Sequence, residues 1–223
     1  MSAESQPPSS TGPSIRVGIA GCTGVVGQRF VSLLQGHPSF VVAALSASER
    51  SAGQLYRDAC SWKLASDMPA YAVSLPVLPT RVEEFVRAGV RAVFSALDAA
   101  VAGEFETALA RAGIAVFSNA RNHRYDARVP ILIPHANAEH VHIIPHQQKA
   151  EGFPAGGFIV TNANCSSTGL VVALRVSCRG APQFCASPHH LNFQFTLIRF
   201  SLPLTFFFLP SPFATRSAST SCS

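Results

Sequence analysis

Short apolar runs alternate with helical segments from residue 15 onward. Ile15, Arg16, Val17, Gly18, Ile19 and Ala20 read as a β run and are followed by a Gly-rich turn. The next segment, to about Gln35, places Val26, Phe30, Leu33 and Leu34 on one helical face. Gly36, His37 and Pro38 stop that helix, and residues 40–45 form a second β run, so the opening is a β-α-β unit.

The alternation continues downstream. Thr80, Arg81, Val82 and Glu83 spell a capping box, in which hydroxyl and carboxylate satisfy each other's orphan amides, and Gly89 sits where a short helix would end. Residues 91–96 are the next expected strand. Asp98 can cap a helix running to Arg111 with Gly113 as its stop, and residues 114–117 form another strand. Residues 129–133 and 158–161 are expected as later strands, the second running into a helix near Cys165. Parallel neighbours need crossover helices, and tight hairpin dipeptides such as Asn-Gly are absent. The expected fold class is therefore α/β, a doubly wound parallel sheet of Rossmann type.

Composition narrows the function classes. The 223 residues are 48% hydrophobic and 13% charged, enough to bury a core. The net charge of +5 misleads, because all twelve acids lie at or before Glu151, where thirteen basic residues nearly balance them. The excess falls on Arg175, Arg179, Arg199 and Arg216, too sparse for the clustered basic face that a phosphate backbone requires, so no nucleic-acid partner is expected. Six scattered cysteines form no disulfide framework, and free thiols in the cytoplasm are expected. The Ser/Pro-rich residues 1–14 have no apolar run and read as a disordered leader. Residues 200–209 are too short and too Pro-flanked to span a bilayer, so no membrane span is expected.

Beyond Leu174 the text changes. No acid occurs, half of the sixteen Phe residues lie from Phe184 on, and prolines at 182, 188, 203, 210 and 212 break any period. Phe, Leu, Pro and Ser dominate residues 201–213 and share pyrimidine-rich codons, and Arg175-Val176-Ser177 is what an unspliced donor site would often encode. Residues 175–223 are accordingly expected to be an unstructured tail of translated intron or frameshifted sequence.

Three segments can carry chemistry. Gly21, Cys22, Thr23, Gly24, Val25, Val26 and Gly27 lie between strand and helix, where backbone amides at a helix start can hold a pyrophosphate and glycines allow close approach. At the end of the second strand an acid would bind the ribose hydroxyl of NAD. Ser48, Arg50 and Ser51 instead offer hydroxyls and a guanidinium suited to a 2′-phosphate, which favours NADP, with Glu49 as the dissonant charge. Cys165, directly after a strand and at a helix start between Asn164 and Ser166, meets positive dipole and free amides that favour a thiolate nucleophile. His135, His140, His142 and His146 cluster, but their spacing fits no closed four-ligand pattern, so no metal site is assigned. Cys178, Cys185, His189 and His190 resemble a zinc finger only by chance, and Phe206, Phe207 and Phe208 read as an aggregation hazard.

The glycine motif through Gln28, Ser48 to Gly53, Phe94 to Asp98, Ser118 to Arg124, Val129-Pro130 and Asn162 to Ser166 together resemble the aspartate-semialdehyde dehydrogenases, most closely their fungal and archaeal branch, over residues 15–174. The resemblance implies Cys165 as nucleophile, Asn164 as the neighbour orienting the reacting group, and Arg124 and Asn119 at the substrate. It implies that Gly21, Thr23, Gly24, Val25, Val26, Gly27, Ser48, Arg50 and Ser51 hold NADP, with Ser95, Ala96 and Asn119 near the nicotinamide. In that family the thiolate attacks the aldehyde, hydride passes to NADP, and phosphate releases the thioacyl group as aspartyl phosphate. The reverse direction serves lysine, methionine and threonine biosynthesis. The family's general base and the region that forms its homo-oligomer, a later α+β domain, have no counterpart after Leu174, so impaired activity and no homo-oligomer are expected of this chain, with a non-catalytic NADP-binding remnant as the alternative. N-acetyl-glutamyl-phosphate reductase is a weaker rival, because it would place Gly where Asn164 stands.

Overall fold

The computed structural model describes residues 14–180, with side chains described to residue 174. The expected leader and tail lie outside the described residues, apart from a final helix that continues to Gly180.

Six parallel strands form one sheet in the order β3-β2-β1-β4-β5-β6. In chain order, β1 (Ile15–Ala20) leads through α1 (Val25–Leu33) to β2 (Phe40–Ala47). Two single-turn helices, α2 (Tyr56–Ala59) and α3 (Ala70–Val73), precede the short edge strand β3 (Val77–Pro79). Then come α4 (Val82–Arg87), β4 (Ala92–Ser95), α5 (Ala99–Arg111) and β5 (Ala115–Ser118). After β5 the chain forms α6 (Pro134–Asn137), a 3₁₀ turn (Ala138–Ile143), α7 (Ile144–Glu151), β6 (Phe158–Thr161) and α8 (Cys165–Gly180). The sheet has core on both faces. Val17, Ile19, Val31, Leu45 and Tyr56 pack on one, and Phe85, Val93, Leu109, Val116 and Ile159 on the other, as a doubly wound α/β fold requires.

The order reverses beside β1, with β2 on one flank and β4 on the other, which opens a crevice at the carboxyl ends of the strands. There the register aligns Ala20 with Ser95, Ser95 with Ser118, and Ser118 with Thr161. Every segment that follows one of these residues therefore emerges along a single edge.

Three local expectations are corrected. The inward face of α1 carries Gly27, Gln28 and Val31, continued by Leu34, while Val26 and Leu33 are exposed. The close seat of Gly27 on the turn sets that rotation: a Cβ there would lie 2.2 Å from the Gly21 carbonyl oxygen. Thr80 does not cap α4, whose N-cap is Arg81 without a side-chain bond; the Thr80 hydroxyl donates instead to the Ala47 carbonyl at 2.9 Å, clamping the end of β2. Residues 129–133 are no strand but one bridge between Ile131 and Thr161. Its two bonds run from Thr161 N–H to the Pro130 carbonyl (3.0 Å) and from Leu132 N–H to the Thr161 carbonyl (2.8 Å). Pro130 and Pro134 supply no N–H with which to extend it.

Candidate functional site

A cavity of about 470 Å³ opens over the turn after β1. Gly21, Thr23 and Gly24 line it from the turn, Ser48 and Glu49 from the end of β2, and Ala96, Leu97 and Asp98 from the end of β4. Gly21 takes φ +76°, and a Cβ on it would meet the Ala96 carbonyl at 2.7 Å, so only glycine closes this turn against β4. Its role is steric: the amides of Gly21 and Cys22 both donate to the Ser46 carbonyl, at 2.9 and 3.0 Å. The donors left for an anion are the Thr23 amide and the first-turn amides of α1, on Val25, Val26 and Gly27, which have no intrahelical partner. On Gly24, the N-cap, an added Cβ would meet only the Gly21 carbonyl oxygen, at 3.5 Å, an ordinary van der Waals contact. That clearance lies where a phosphate would approach the helix start, and the residues present therefore fit a dinucleotide.

The other expected cofactor residues are distributed unevenly. Ser95 is fully buried at the strand end, its hydroxyl without a hydrogen-bond partner among the described residues. Arg50 and Ser51 follow Ser48 and Glu49 in the loop but are not among the lining side chains. Glu49, the dissonant acid, is engaged by Arg81 at 3.0 Å. Arg81 was not expected from sequence; its partner is 32 residues away, and only the pairing of β2 with β3 brings the two segments together.

The second group follows β5 and β6. Asn164 caps α8: its Oδ1 accepts from the Ser166 amide at 3.0 Å, and its carbonyl accepts the Thr168 amide at 2.8 Å. Cys165 thus occupies the first helical position, exposed, with Sγ 3.7 Å from Asn164 Oδ1. Cys22 and Cys60 differ sharply. Burial, with the neighbouring Cys60, pushes the Cys22 thiol up to about 12, and burial raises that of Cys60 as well. Arg124 Nη2 donates to the Asn119 carbonyl at 2.9 Å and to Asn162 Oδ1 at 3.3 Å, while Asn162 Nδ2 donates to Asn119 Oδ1. Asn119, Asn162 and Arg124 therefore form one polar cluster beside the entrance to α8. The buried Arg124 Nε has no hydrogen-bond partner among the described residues.

Glu106, on α5, supports that cluster from below. Fully buried, it accepts the Ser118 hydroxyl at 2.9 Å and faces His123 Nε2 at 3.3 Å, outside hydrogen-bonding geometry. A sequence signal for Glu106 existed: it falls on the stripe of Ala102, Leu109 and Ala110, where a carboxyl group needs a buried partner. Among the described residues no three His, Cys, Asp or Glu side chains gather to hold a metal, and the four histidines of residues 135–146 are spread over α6, the 3₁₀ turn and α7. No helix among the described residues is long and apolar enough to cross a membrane.

Residues 16–144 match the family described as semialdehyde dehydrogenase, NAD binding domain. The chain is 48% identical over 164 residues to an aspartate-semialdehyde dehydrogenase of Cryptococcus neoformans, covering 73% of this chain and 44% of that protein. It is 44% identical over 161 residues to the Saccharomyces cerevisiae enzyme of the same name, again with 44% of the relative covered. The crystal structure of the Candida albicans enzyme with NADP is similar at a TM-score of 0.68 and 40% identity, covering 75% of this chain and 48% of that one. The chain thus spans less than half the length of the relatives it matches.

Proposed function

The chain belongs to the semialdehyde dehydrogenase family, and from that premise we propose that residues 15–174 carry the NADP-binding part and the nucleophile of an aspartate-semialdehyde dehydrogenase. The observation that carries the reading is the alignment of Ala20, Ser95, Ser118 and Thr161 at one sheet edge, from which the glycine turn, the Ala96 segment, the Asn119–Arg124 cluster and Cys165 all emerge. When bound, NADP supplies the hydride chemistry.

The chain's own residues do the rest. Cys165, as thiolate, attacks the aldehyde carbon, and the amides and dipole at the start of α8 stabilise its charge. Asn164 fixes that helix start and keeps its amide oxygen beside the sulfur. Arg124 and Asn119 bind the anionic end of the substrate, or the phosphate that releases the acyl group as aspartyl phosphate. Ser48, Arg50 and Ser51 take the 2′-phosphate, with the Glu49 carboxylate engaged by Arg81. The partners are a small amino-acid-derived substrate and phosphate. Free, unpaired Cys22, Cys60 and Cys165 suit a reducing compartment such as the cytoplasm.

Calorimetric titration of the full chain with NADP and NAD tests the cofactor half. Saturable NADP binding, tighter than NAD by about tenfold or more, is expected from a phosphate held by a guanidinium and hydroxyls. Equal affinities, or no binding of either, would remove it.

A further inference from the structure

The glycine turn can present amides to an anion only if its carbonyls are turned elsewhere. A trans peptide unit is planar, so each C=O points opposite to the N–H of the next residue, and a buried carbonyl needs a donor. All three turn carbonyls have one. That of Gly21 accepts from the Gly24 amide at 3.2 Å. The Cys22 carbonyl accepts from the Tyr56 hydroxyl at 2.8 Å, and the Thr23 carbonyl from Gln28 Nε2 at 2.9 Å. Tyr56 and Gln28 are both completely buried. Gln28 is fully committed: Nε2 also donates to the Ser61 carbonyl at 3.0 Å, and Oε1 accepts the Lys63 amide at 2.8 Å.

We infer that Gln28 and Tyr56 are positioning residues for the dinucleotide, a buried brace that ties the turn carbonyls to residues 56–63 and so keeps the Thr23 amide and the start of α1 aimed at the pyrophosphate. The Cys22 carbonyl is held by Tyr56 on the inner side, so the Thr23 N–H in the same peptide plane points the opposite way, and Thr23 lines the cavity. Tyr56 lies three residues past Gly53, the end of the loop carrying Ser48, Arg50 and Ser51. The brace therefore fixes the distance between the pyrophosphate donors and the 2′-phosphate loop. This inference rests on the proposed binding of NADP at the turn.

The experiment uses the full chain with Gln28→Leu and Tyr56→Phe, titrated with NADP and with adenosine 2′-phosphate, which lacks the pyrophosphate. Each variant is expected to bind NADP about tenfold more weakly, the size of one lost buried hydrogen bond. Adenosine 2′-phosphate affinity should stay unchanged. Unchanged NADP affinity in both variants overturns the brace, and so does an equal loss for the two ligands, which would mark general loosening. Should Gln28→Leu fail to fold, Tyr56→Phe, which removes a single hydroxyl, decides the matter alone. A wild-type chain that binds neither ligand overturns the cofactor reading itself and the brace with it.

Discussion

At the glycine turn, backbone carbonyls and glycine positions are fixed by buried contacts, whereas around the start of α8 Cys165 and Asn164 stand exposed and the half-buried Arg124 and Asn119 bond to each other and to Asn162. The turn has little freedom: a methyl on Gly21 or Gly27 would strike backbone, and its carbonyls are all engaged. At the other end, among the described residues, the Cys165 thiol has one hydrogen-bond contact, at 3.7 Å, and the buried Arg124 Nε has no partner. Rigid backbone suits a ligand part that does not change during a reaction. Spare hydrogen-bonding capacity suits groups that must take hold of substrate.

Glycine substitutions should expose that contrast most strongly. Gly27→Ala would push a Cβ to 2.2 Å from the Gly21 carbonyl, and a loss of about 3 kcal/mol in urea-unfolding stability is expected. Gly24→Ala, with no atom nearer than 3.5 Å, should leave stability within about 0.5 kcal/mol while a methyl at the cavity wall weakens NADP binding. Equal losses at the two positions would erase the distinction between a steric and a ligand-facing glycine.

Next in size is the support beneath the polar cluster. Glu106→Ala strips the Ser118 hydroxyl of its acceptor and should cost about 2 kcal/mol, measured by the same unfolding. A value near zero would show that the 118–124 loop holds its shape without α5.

The buried thiols give a smaller, pH-dependent effect. With Cys22 raised from 9.0 to about 12, the unfolded chain loses that proton first as pH rises, so this contribution is complete below about 9 and declines toward 12. Thermal melting should therefore fall through that alkaline window, and Cys22→Ala should flatten the decline. The smallest effect belongs to the exposed Arg81–Glu49 pair. Arg81→Gln should change stability by less than about 1 kcal/mol; a larger loss in unfolding experiments would mean that the pair holds β2 and β3 together.

Much of the cofactor end was legible in sequence because its logic is local. Glycine spacing between a strand and a helix needs no distant partner to be read, and the strand limits of β1 and β6 agree with the apolar runs. What escaped was set by contacts across the chain. Thr80 looked like a cap, but a neighbouring strand end competes for its hydroxyl. Gln28 and Tyr56 gave no local sign of their bonds to the turn, 5 and 34 residues away. Residues 129–133 had a strand's apolarity, and two prolines reduced it to a bridge. At the start of α8, the placement of Cys165 behind Asn164 was readable, while the bonds of Arg124 to Asn162 and of Ser118 to Glu106 belonged to the fold.

The central claim, that α8 begins with an activated nucleophile, is tested most directly by site-resolved alkylation of the folded chain with iodoacetamide at neutral pH. Cys165 should react at least about a hundredfold faster than Cys60 and Cys22, which are buried and held protonated. A Cys165 rate no greater than that of Cys60 would contradict the assignment, even with the family membership intact.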